Sequence, residues 1–186
     1  QPKASNHLRA LIFGDIMGQA GLDFLKQALP LLRQEYSPEL VLVNGENITD
    51  GFGLNQKDFE YLTKNLSIDV ITTGNHWNDQ QNTEKLVLEH TNLLIPANMN
   101  NAPSIDEGCY IANTSSTPAF AVINLIGRFA MKGSHSCPFE TASLLLEKIK
   151  LKTSIIFVDF HAEATSEKQA LAHFLSSKVS VVYGTH

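Results

Sequence analysis

The stretch that decides the fold is Leu40-Val41-Leu42-Val43-Asn44-Gly45-Glu46-Asn47. Its first half is an apolar run of the kind found in a strand, and its second half is a cluster of amide and carboxylate side chains. In α/β sheets, ligands bind at the carboxyl ends of the strands. The stretch therefore predicts a strand of such a sheet with a binding site at its end.

Four other segments repeat this arrangement, with helix-like segments between them. In each, an apolar run is followed at once by side chains of the types that bind metals or carry protons. The chain is therefore predicted to be of the α/β class, with five polar clusters at one sheet edge that form a catalytic metal site. The four segments are Leu11-Ile12-Phe13-Gly14-Asp15, Val70-Ile71-Thr72-Thr73-Gly74-Asn75-His76, Ile155-Ile156-Phe157-Val158-Asp159-Phe160-His161 and Val179-Ser180-Val181-Val182-Tyr183-Gly184-Thr185-His186.

The helices of the first half are predicted from the spacing of apolar residues. Residues 21–36 carry leucines at helical intervals, and Pro30 is expected to kink or divide this helix. A short helix is expected to begin after Asn55, with Asp58 three residues on as in a capping box. This part of the chain therefore alternates strand and helix.

The second half is predicted to hold one short antiparallel strand, one full strand and two helices. The brief run Cys109-Tyr110-Ile111 lies among loops rich in Asn, Ser, Thr and Pro, and a convincing strand follows at 120–125. A helix is expected at 139–149, with Leu144, Leu145 and Ile149 turned inward. Another is expected to run from Ser166, acting as its cap, to residue 175.

Length and composition limit what the protein can be. A chain of 186 residues is one domain, or one domain and part of another, and we expect a disordered tail at 1–7 and a domain at 8–186. The net charge of −5 gives no electrostatic reason to expect duplex nucleic-acid binding. No apolar run approaches the roughly 20 residues of a membrane helix. The two cysteines form no CxxC motif and are expected to be reduced thiols of a cytoplasmic protein.

The polar clusters resemble a known family. The motifs Gly14-Asp15, Asn44-Gly45-Glu46-Asn47, Gly74-Asn75-His76 and Gly184-Thr185-His186, in this order, resemble the calcineurin-like metallophosphoesterases. The run Asp159-Phe160-His161-Ala162-Glu163-Ala164-Thr165-Ser166-Glu167-Lys168 and the Glu at position 46 resemble more closely its bacterial YmdB-type branch, whose members act as phosphodiesterases on 2′,3′-cyclic nucleotides.

The resemblance implies a fold for residues 8–186. That fold is a sandwich of mixed β-sheets flanked by helices. The family motif continues past Gly184-Thr185-His186 to a second His and further strands, so the domain is expected to be C-terminally incomplete and one ligand short.

The resemblance also implies a two-metal site. Glu46 bridges the ions, Asp15 and Asn47 bind the first, and the second is held by a set of three further side chains. The ions are iron or manganese, with zinc or magnesium as alternatives, and they bridge a hydroxide that attacks phosphorus. By the same resemblance, the ligands of the second metal are Asn75, His161 and His186. His76 is the acid that gives a proton to the leaving oxygen.

Other candidate residues are assigned from their positions. Asp159 stands two residues before His161, so it shares its face of the strand and is interpreted as a partner that orients a ligand. Arg128 follows a strand and could clamp a phosphate or lie on the surface. Asn98 is equally open between a substrate role and a structural one.

Three functions stay open at this point. The first is a phosphodiesterase acting on a small phosphodiester or nucleotide. The second is a protein or small-molecule phosphomonoesterase with the same site, and the third is a regulatory scaffold with an impaired site. A homo-oligomer is left open. The glycines at 14, 18 and 21 do not have the G-x-G-x-x-G spacing of a dinucleotide site.

Overall fold

Two stacked four-stranded β-sheets form the centre of the molecule. The computed structural model describes residues 8–112 and 117–186, so the tail predicted at 1–7 lies outside the described residues. The first sheet is entirely parallel, with its strands in chain order. Its strands are β1 (Ala10–Asp15), β2 (Leu40–Asn44), β3 (Val70–Thr72) and β4 (Leu93–Leu94), and its helices are α1 (Gly18–Tyr36), α2 (Gln56–Glu60) and α3 (Thr83–Glu89).

The second sheet is mixed. Its first strand pairs antiparallel with the next, as predicted for the run at 109–111, and the remaining pairs are parallel. The α/β class and the arrangement of sheets flanked by helices are thereby confirmed, with one sheet parallel and the other mixed. The strands are β5 (Cys109–Ala112), β6 (Phe120–Ile126), β7 (Ile155–His161) and β8 (Val181–Thr185), and the helices are α4 (Pro138–Ile149) and α5 (Thr165–Leu175).

Side-chain alternation along the strands creates three layers of core. In β2, Val41 and Val43 pack against the helices of the first sheet, while Leu40 and Leu42 face the second sheet. In β6, Val122 faces the first sheet in the same way. Apolar side chains thus fill the space between the sheets towards the amino ends of the strands.

Helix α1 is longer than predicted and is not divided. It begins at Gly18 and continues through Pro30 to Tyr36, so a division at Pro30 is wrong, while a kink there stays a prediction. Pro30 lies on the exposed face, where the carbonyl left without a donor can bond to water. The buried leucines lie on the opposite face of the same helix, and their packing keeps it continuous.

Two other expectations are wrong and one is confirmed. Leu144 is 56% exposed, because α4 buries the neighbouring stripe that includes Leu145 and Ile149. Ser166 is inside α5 and not its cap, since the helix begins at Thr165 after Ala164. The short helix α2 does begin as predicted: the Asn55 side chain accepts a hydrogen bond from the backbone N–H of Asp58 at 2.8 Å.

Candidate metal centre

At the carboxyl ends of the strands, the layer between the two sheets consists of polar side chains and no longer of apolar ones. Continuing the alternation of Leu40 and Leu42, the next residue on that face of β2 is Asn44. In β7, the same rule brings Asp159 and then His161 to the face that meets the first sheet. All three of these polar side chains are fully buried.

Asp159 is the centre of the buried network. It accepts hydrogen bonds from Thr72 Oγ1 at 2.5 Å, Asn44 Nδ2 at 3.0 Å and Thr185 Oγ1 at 2.7 Å, and so joins both sheets. Burial raises the pKa of Asp159 to about 6, although the three donors and His161 act in the opposite direction. The prediction that Asp159 orients a metal-binding His fits this geometry.

The network fixes which nitrogen of His161 carries a proton. The single hydroxyl hydrogen of Thr185 is donated to Asp159, so Thr185 Oγ1 can only accept from His161 Nδ1, which lies 2.9 Å away. In the neutral ring, Nε2 then presents a lone pair. This is the arrangement in which a histidine binds a metal through Nε2.

Two oxygen atoms lie close to this nitrogen of His161. His161 Nε2 contacts Glu46 Oε2 directly and lies 3.2 Å from Asn75 Oδ1. Among the described residues, no hydrogen-bond donor reaches the buried Glu46 Oε2. With the single proton of a neutral His161 on Nδ1, a metal cation would satisfy these atoms together, and an unpaired buried carboxylate is otherwise costly.

His186 completes a group that could hold a metal ion. Ligand atoms of Glu46, His161 and His186 all lie within 4.8 Å of one another. The two imidazole rings meet edge to face with their centroids 4.8 Å apart, and Glu163 lies 2.9 Å from His186 Nε2. Asn75, through its contact with His161, adds a fourth donor to this group.

Asp15 stands at the edge of the same group. Its Oδ2 accepts a hydrogen bond from the backbone N–H of His186 at 3.1 Å, while Oδ1 is buried without a partner among the described residues. The pKa of Asp15 is raised, mainly by burial, while His161 lowers it and Glu46 raises it further. An unpartnered carboxylate oxygen here suits a second cation beside Glu46.

Gly74 leaves the space in which the donors meet. A Cβ at this position would collide with the Glu46 carboxylate and the His161 ring. The loop that carries Glu46 is itself held in place, since Asn44 Oδ1 accepts from the Glu46 N–H at 3.0 Å and Glu46 Oε1 accepts from the His76 N–H at 3.0 Å. The centre therefore has a preformed cradle.

His76 lies beside this group and is oriented by two residues that the sequence analysis did not identify. Asp79 Oδ2 lies 2.5 Å from His76 Nδ1, and because a carboxylate only accepts, Nδ1 is the donor. Phe52 meets the imidazole edge to face, with ring centroids 5.2 Å apart. The ring is thereby held with Nε2 as its remaining polar atom.

Three predicted residues use their polar groups in other ways. Asn47 donates from its amide to the Gly51 carbonyl at 2.9 Å, which leaves Oδ1 as its atom for a ligand role. Asn98 is buried and bonds both backbone groups of Ile126 and the carbonyl of Ser136, so its amide joins the end of β6 to the loop that carries Ser136. The side chain of Arg128 is exposed.

The donors present are suited to a catalytic metal ion. Carboxylate, amide and imidazole groups are ligands for manganese, iron and magnesium, and the group contains neither cysteine. The sequence analysis named the donors but not the residues that hold them. Some of these supporting residues could have been found from the alternation of side chains along each strand, because each follows apolar residues on the face between the sheets. They are Asn44, Thr72, Asn124 and Thr185.

No helix within residues 8–112 and 117–186 is both long and apolar enough to span a bilayer.

The chain is similar to several known proteins. The sequence model of a family described as "YmdB-like protein" matches residues 11–186. A Bacillus subtilis protein named 2′,3′-cyclic-nucleotide 2′-phosphodiesterase is 37% identical over 180 residues, which are 96% of this chain and 66% of that protein. A putative phosphatase/phosphodiesterase of Mycoplasma genitalium is 32% identical over 97% of this chain and 64% of its own length. The chain thus spans slightly less than two thirds of these curated relatives.

Solved structures show the same fold. A hypothetical protein from Thermus thermophilus superimposes with a TM-score of 0.84 at 33% identity, over 96% of this chain and 68% of that one. A structure described as a novel phosphatase from Mycoplasma pneumoniae gives a TM-score of 0.86 at 31% identity, over 97% and 64%. Both similarities extend across the two sheets and the strand ends.

Proposed function

The chain belongs to the YmdB-like protein family, and on that premise we propose that it acts as a metal-dependent phosphodiesterase on small phosphodiesters, most specifically 2′,3′-cyclic nucleotides. The name of the Bacillus subtilis relative supports this substrate class. The observation that carries the proposal is the convergence of His161 Nε2, Glu46 Oε2 and Asn75 Oδ1, with the buried Glu46 Oε2 left without a hydrogen-bond donor among the described residues.

We propose two ions at this centre. Asn75, His161 and His186 would hold one, Asp15 and Asn47 the other, and Glu46 would lie between them. The hard and borderline donors suit iron or manganese. When bound, such ions supply positive charge to the phosphate oxygens and acidity to a water molecule.

The protein's own contribution to bond breaking is the proton of His76. As water forms its bond to phosphorus it gives up a proton to solvent, the bond from phosphorus to the ribose oxygen breaks, and that oxygen takes a proton from His76 Nε2, which solvent then replaces. Asp79 holds Nδ1 as a donor and so keeps Nε2 as the atom that gives up the proton. An imidazole can carry this proton near neutral pH.

The role of His76 can be tested by comparing leaving groups. His76→Ala is expected to lower turnover of adenosine 2′,3′-cyclic phosphate by roughly 10²–10⁴-fold, because a ribose alkoxide needs a proton to depart. The loss should be much smaller for bis(4-nitrophenyl) phosphate, whose leaving group is a stable anion. Steady-state rates on both substrates give the comparison, and His90→Ala is the control for removing an imidazole elsewhere. Equal losses on both substrates would remove His76 from the role of acid.

A phosphomonoesterase with the same centre is the second candidate. It is favoured by the description of the Mycoplasma pneumoniae structure as a phosphatase. Rates on 4-nitrophenyl phosphate and on bis(4-nitrophenyl) phosphate separate the two functions. A protein that contained no metal and hydrolysed neither ester would instead support the scaffold function. The free thiols of Cys109 and Cys137 support a cytoplasmic location.

A further inference from the structure

A cleft of about 410 Å³ opens beside the candidate centre. It shares Asn75 and His76 with that centre, while Glu46, His161 and His186 do not line it. Its volume is in the range of sites for small molecules. It is therefore a compartment next to the centre and not the centre itself.

The position of the cleft indicates which part of a substrate it would receive. This step rests on the proposed function, in which His76 gives its proton to the departing ribose oxygen. Whatever is attached to that oxygen must then lie on the side of His76. The cleft lined by His76 is the space on that side, so the ribose and base are expected there.

The walls of the cleft offer hydrogen bonds and few apolar contacts. Asn78 lies on the turn that follows His76, and Asn101 and Lys132 come from two loops on the other side. These three side chains are exposed and have no hydrogen bond or ion pair within the described residues. Amide groups can pair with both the donors and the acceptors of a base or of ribose hydroxyls.

Hydrogen bonds join the two loops that form the far wall of the cleft. Asn100 Nδ2 donates to Ser134 Oγ at 3.0 Å, and Asn100 Oδ1 accepts from Ser136 Oγ at 3.0 Å. Nε2 of the buried His135 lies 3.0 Å from the Lys132 carbonyl, and the backbone of His135 pairs with that of Met99 in an isolated antiparallel β-bridge. These contacts join the loop that carries Asn101 to the neighbouring loop, and Asn101 lines the same cleft as Asn78.

We propose that this cleft is a nucleoside subsite, in which Asn78 from one wall and Asn101 from the other bind the ribose or the base of the substrate. The subsite distinguishes a cyclic nucleotide from a phosphodiester that carries only aryl groups.

The experiment compares two diesters in the double variant Asn78→Ala/Asn101→Ala. Each lost hydrogen bond to a neutral group is worth a factor of about five, so the ratio of kcat/KM for adenosine 2′,3′-cyclic phosphate to kcat/KM for bis(4-nitrophenyl) phosphate should fall by about tenfold or more. The matched control, Gln27→Ala/Gln34→Ala, removes two exposed amides from α1 and should keep the wild-type ratio. An unchanged ratio in the Asn78/Asn101 variant overturns the subsite.

Binding of adenosine alone tests the subsite without catalysis. Chemical-shift titration should show binding to the wild type and a dissociation constant raised about tenfold in the double variant. If the wild type hydrolyses neither diester but still binds adenosine through the two amides, the proposed function fails and the subsite stands. If the diesters are hydrolysed but adenosine binding does not depend on the amides, the subsite fails and the function stands. Adenosines that lack the 5′-hydroxyl or the amino group show whether ribose or base makes the contact.

Discussion

The position of one hydrogen atom decides what His161 can bind. Thr185 has a single hydroxyl hydrogen and gives it to Asp159, which leaves its oxygen as an acceptor for His161 Nδ1. Thr185 therefore determines that Nε2 of His161 faces the metal, although Thr185 itself would not contact the metal. Such supporting contacts are as much part of a metal site as the ligands themselves.

Thr185→Val tests this relation at a nearly constant side-chain volume. Without the hydroxyl, His161 Nδ1 loses its acceptor and the ring is free to turn or to change tautomer. Affinity for Mn²⁺, measured by equilibrium dialysis, should fall by roughly 10- to 100-fold. Thr185→Ser keeps the hydroxyl and should bind Mn²⁺ nearly as tightly as the wild type. Wild-type affinity in Thr185→Val would mean that the ring is oriented by other contacts.

Gly74→Ala tests whether the space between the donors is needed. The added methyl group would meet the Glu46 carboxylate and the His161 ring, so the cradle would be filled. We expect Mn²⁺ binding to fall by at least about tenfold. Gly14→Ala is the control, because its added methyl group has no heavy atom within 4 Å. Equal Mn²⁺ affinity in both variants would contradict a site at this point.

The sequence predicts the donors of the centre better than the residues that support them. Glu46, Asn75, His161 and His186 stand in motifs at strand ends, and the structure brings them together. Thr185 belongs to one of these motifs too, but its role depends on Asp159, 26 residues away on another strand. Motifs report local chemistry, whereas hydrogen-bond partners depend on which strands pair and on how the two sheets pack.

At the scale of the elements, apolar runs locate the strands and turn chemistry locates some helix ends. The expectations that failed concern residues whose burial or tolerance in a helix depends on the tertiary packing around them. Leu144 is one of three consecutive leucines, and the packing of α4 determines which of them is buried. Pro30 is compatible with α1 because it falls on the solvent side. Neither fact can be read from a helical period alone.

The Asn55 cap gives a prediction for α2. Asn55→Ala removes the acceptor for the backbone N–H of Asp58 and should lower the free energy of unfolding by about 1 kcal/mol. Urea denaturation followed by circular dichroism measures the change. Asn55→Ser retains an acceptor at the cap and should lose much less stability. If the two variants lose the same amount, side-chain volume and not capping determines the effect.

At the scale of the whole molecule, the two sheets meet through an apolar layer and a polar layer. The apolar layer contains Leu42 and Val122, and the polar layer contains Asp159 and Asn124. Apolar contact holds the sheets together without fixing their register. Directed hydrogen bonds between the sheets fix the register, and they place the strand ends of one sheet opposite those of the other.

Asn124 makes the most testable of these contacts. It is fully buried on β6, and its amide donates to the carbonyls of Thr73 at 2.9 Å and Leu94 at 3.1 Å, both in the first sheet. Asn124→Ala removes both donors and leaves a small cavity, so the free energy of unfolding should fall by about 2–3 kcal/mol. Gln34→Ala, an exposed amide on α1, should change it by less than about 0.5 kcal/mol.

The same variant also shows whether the sheets unfold together. Trp77 is the only tryptophan and is buried in the core of the first sheet, so its fluorescence reports that layer, whereas circular dichroism reports both layers. In urea, the two signals should give one coincident transition for the wild type and for Asn124→Ala, shifted to lower urea in the variant. Separate transitions in the wild type would show that each layer is stable alone, and a centre built from both could then open without global unfolding. A wild-type midpoint in Asn124→Ala would assign the register of the sheets to the apolar layer alone.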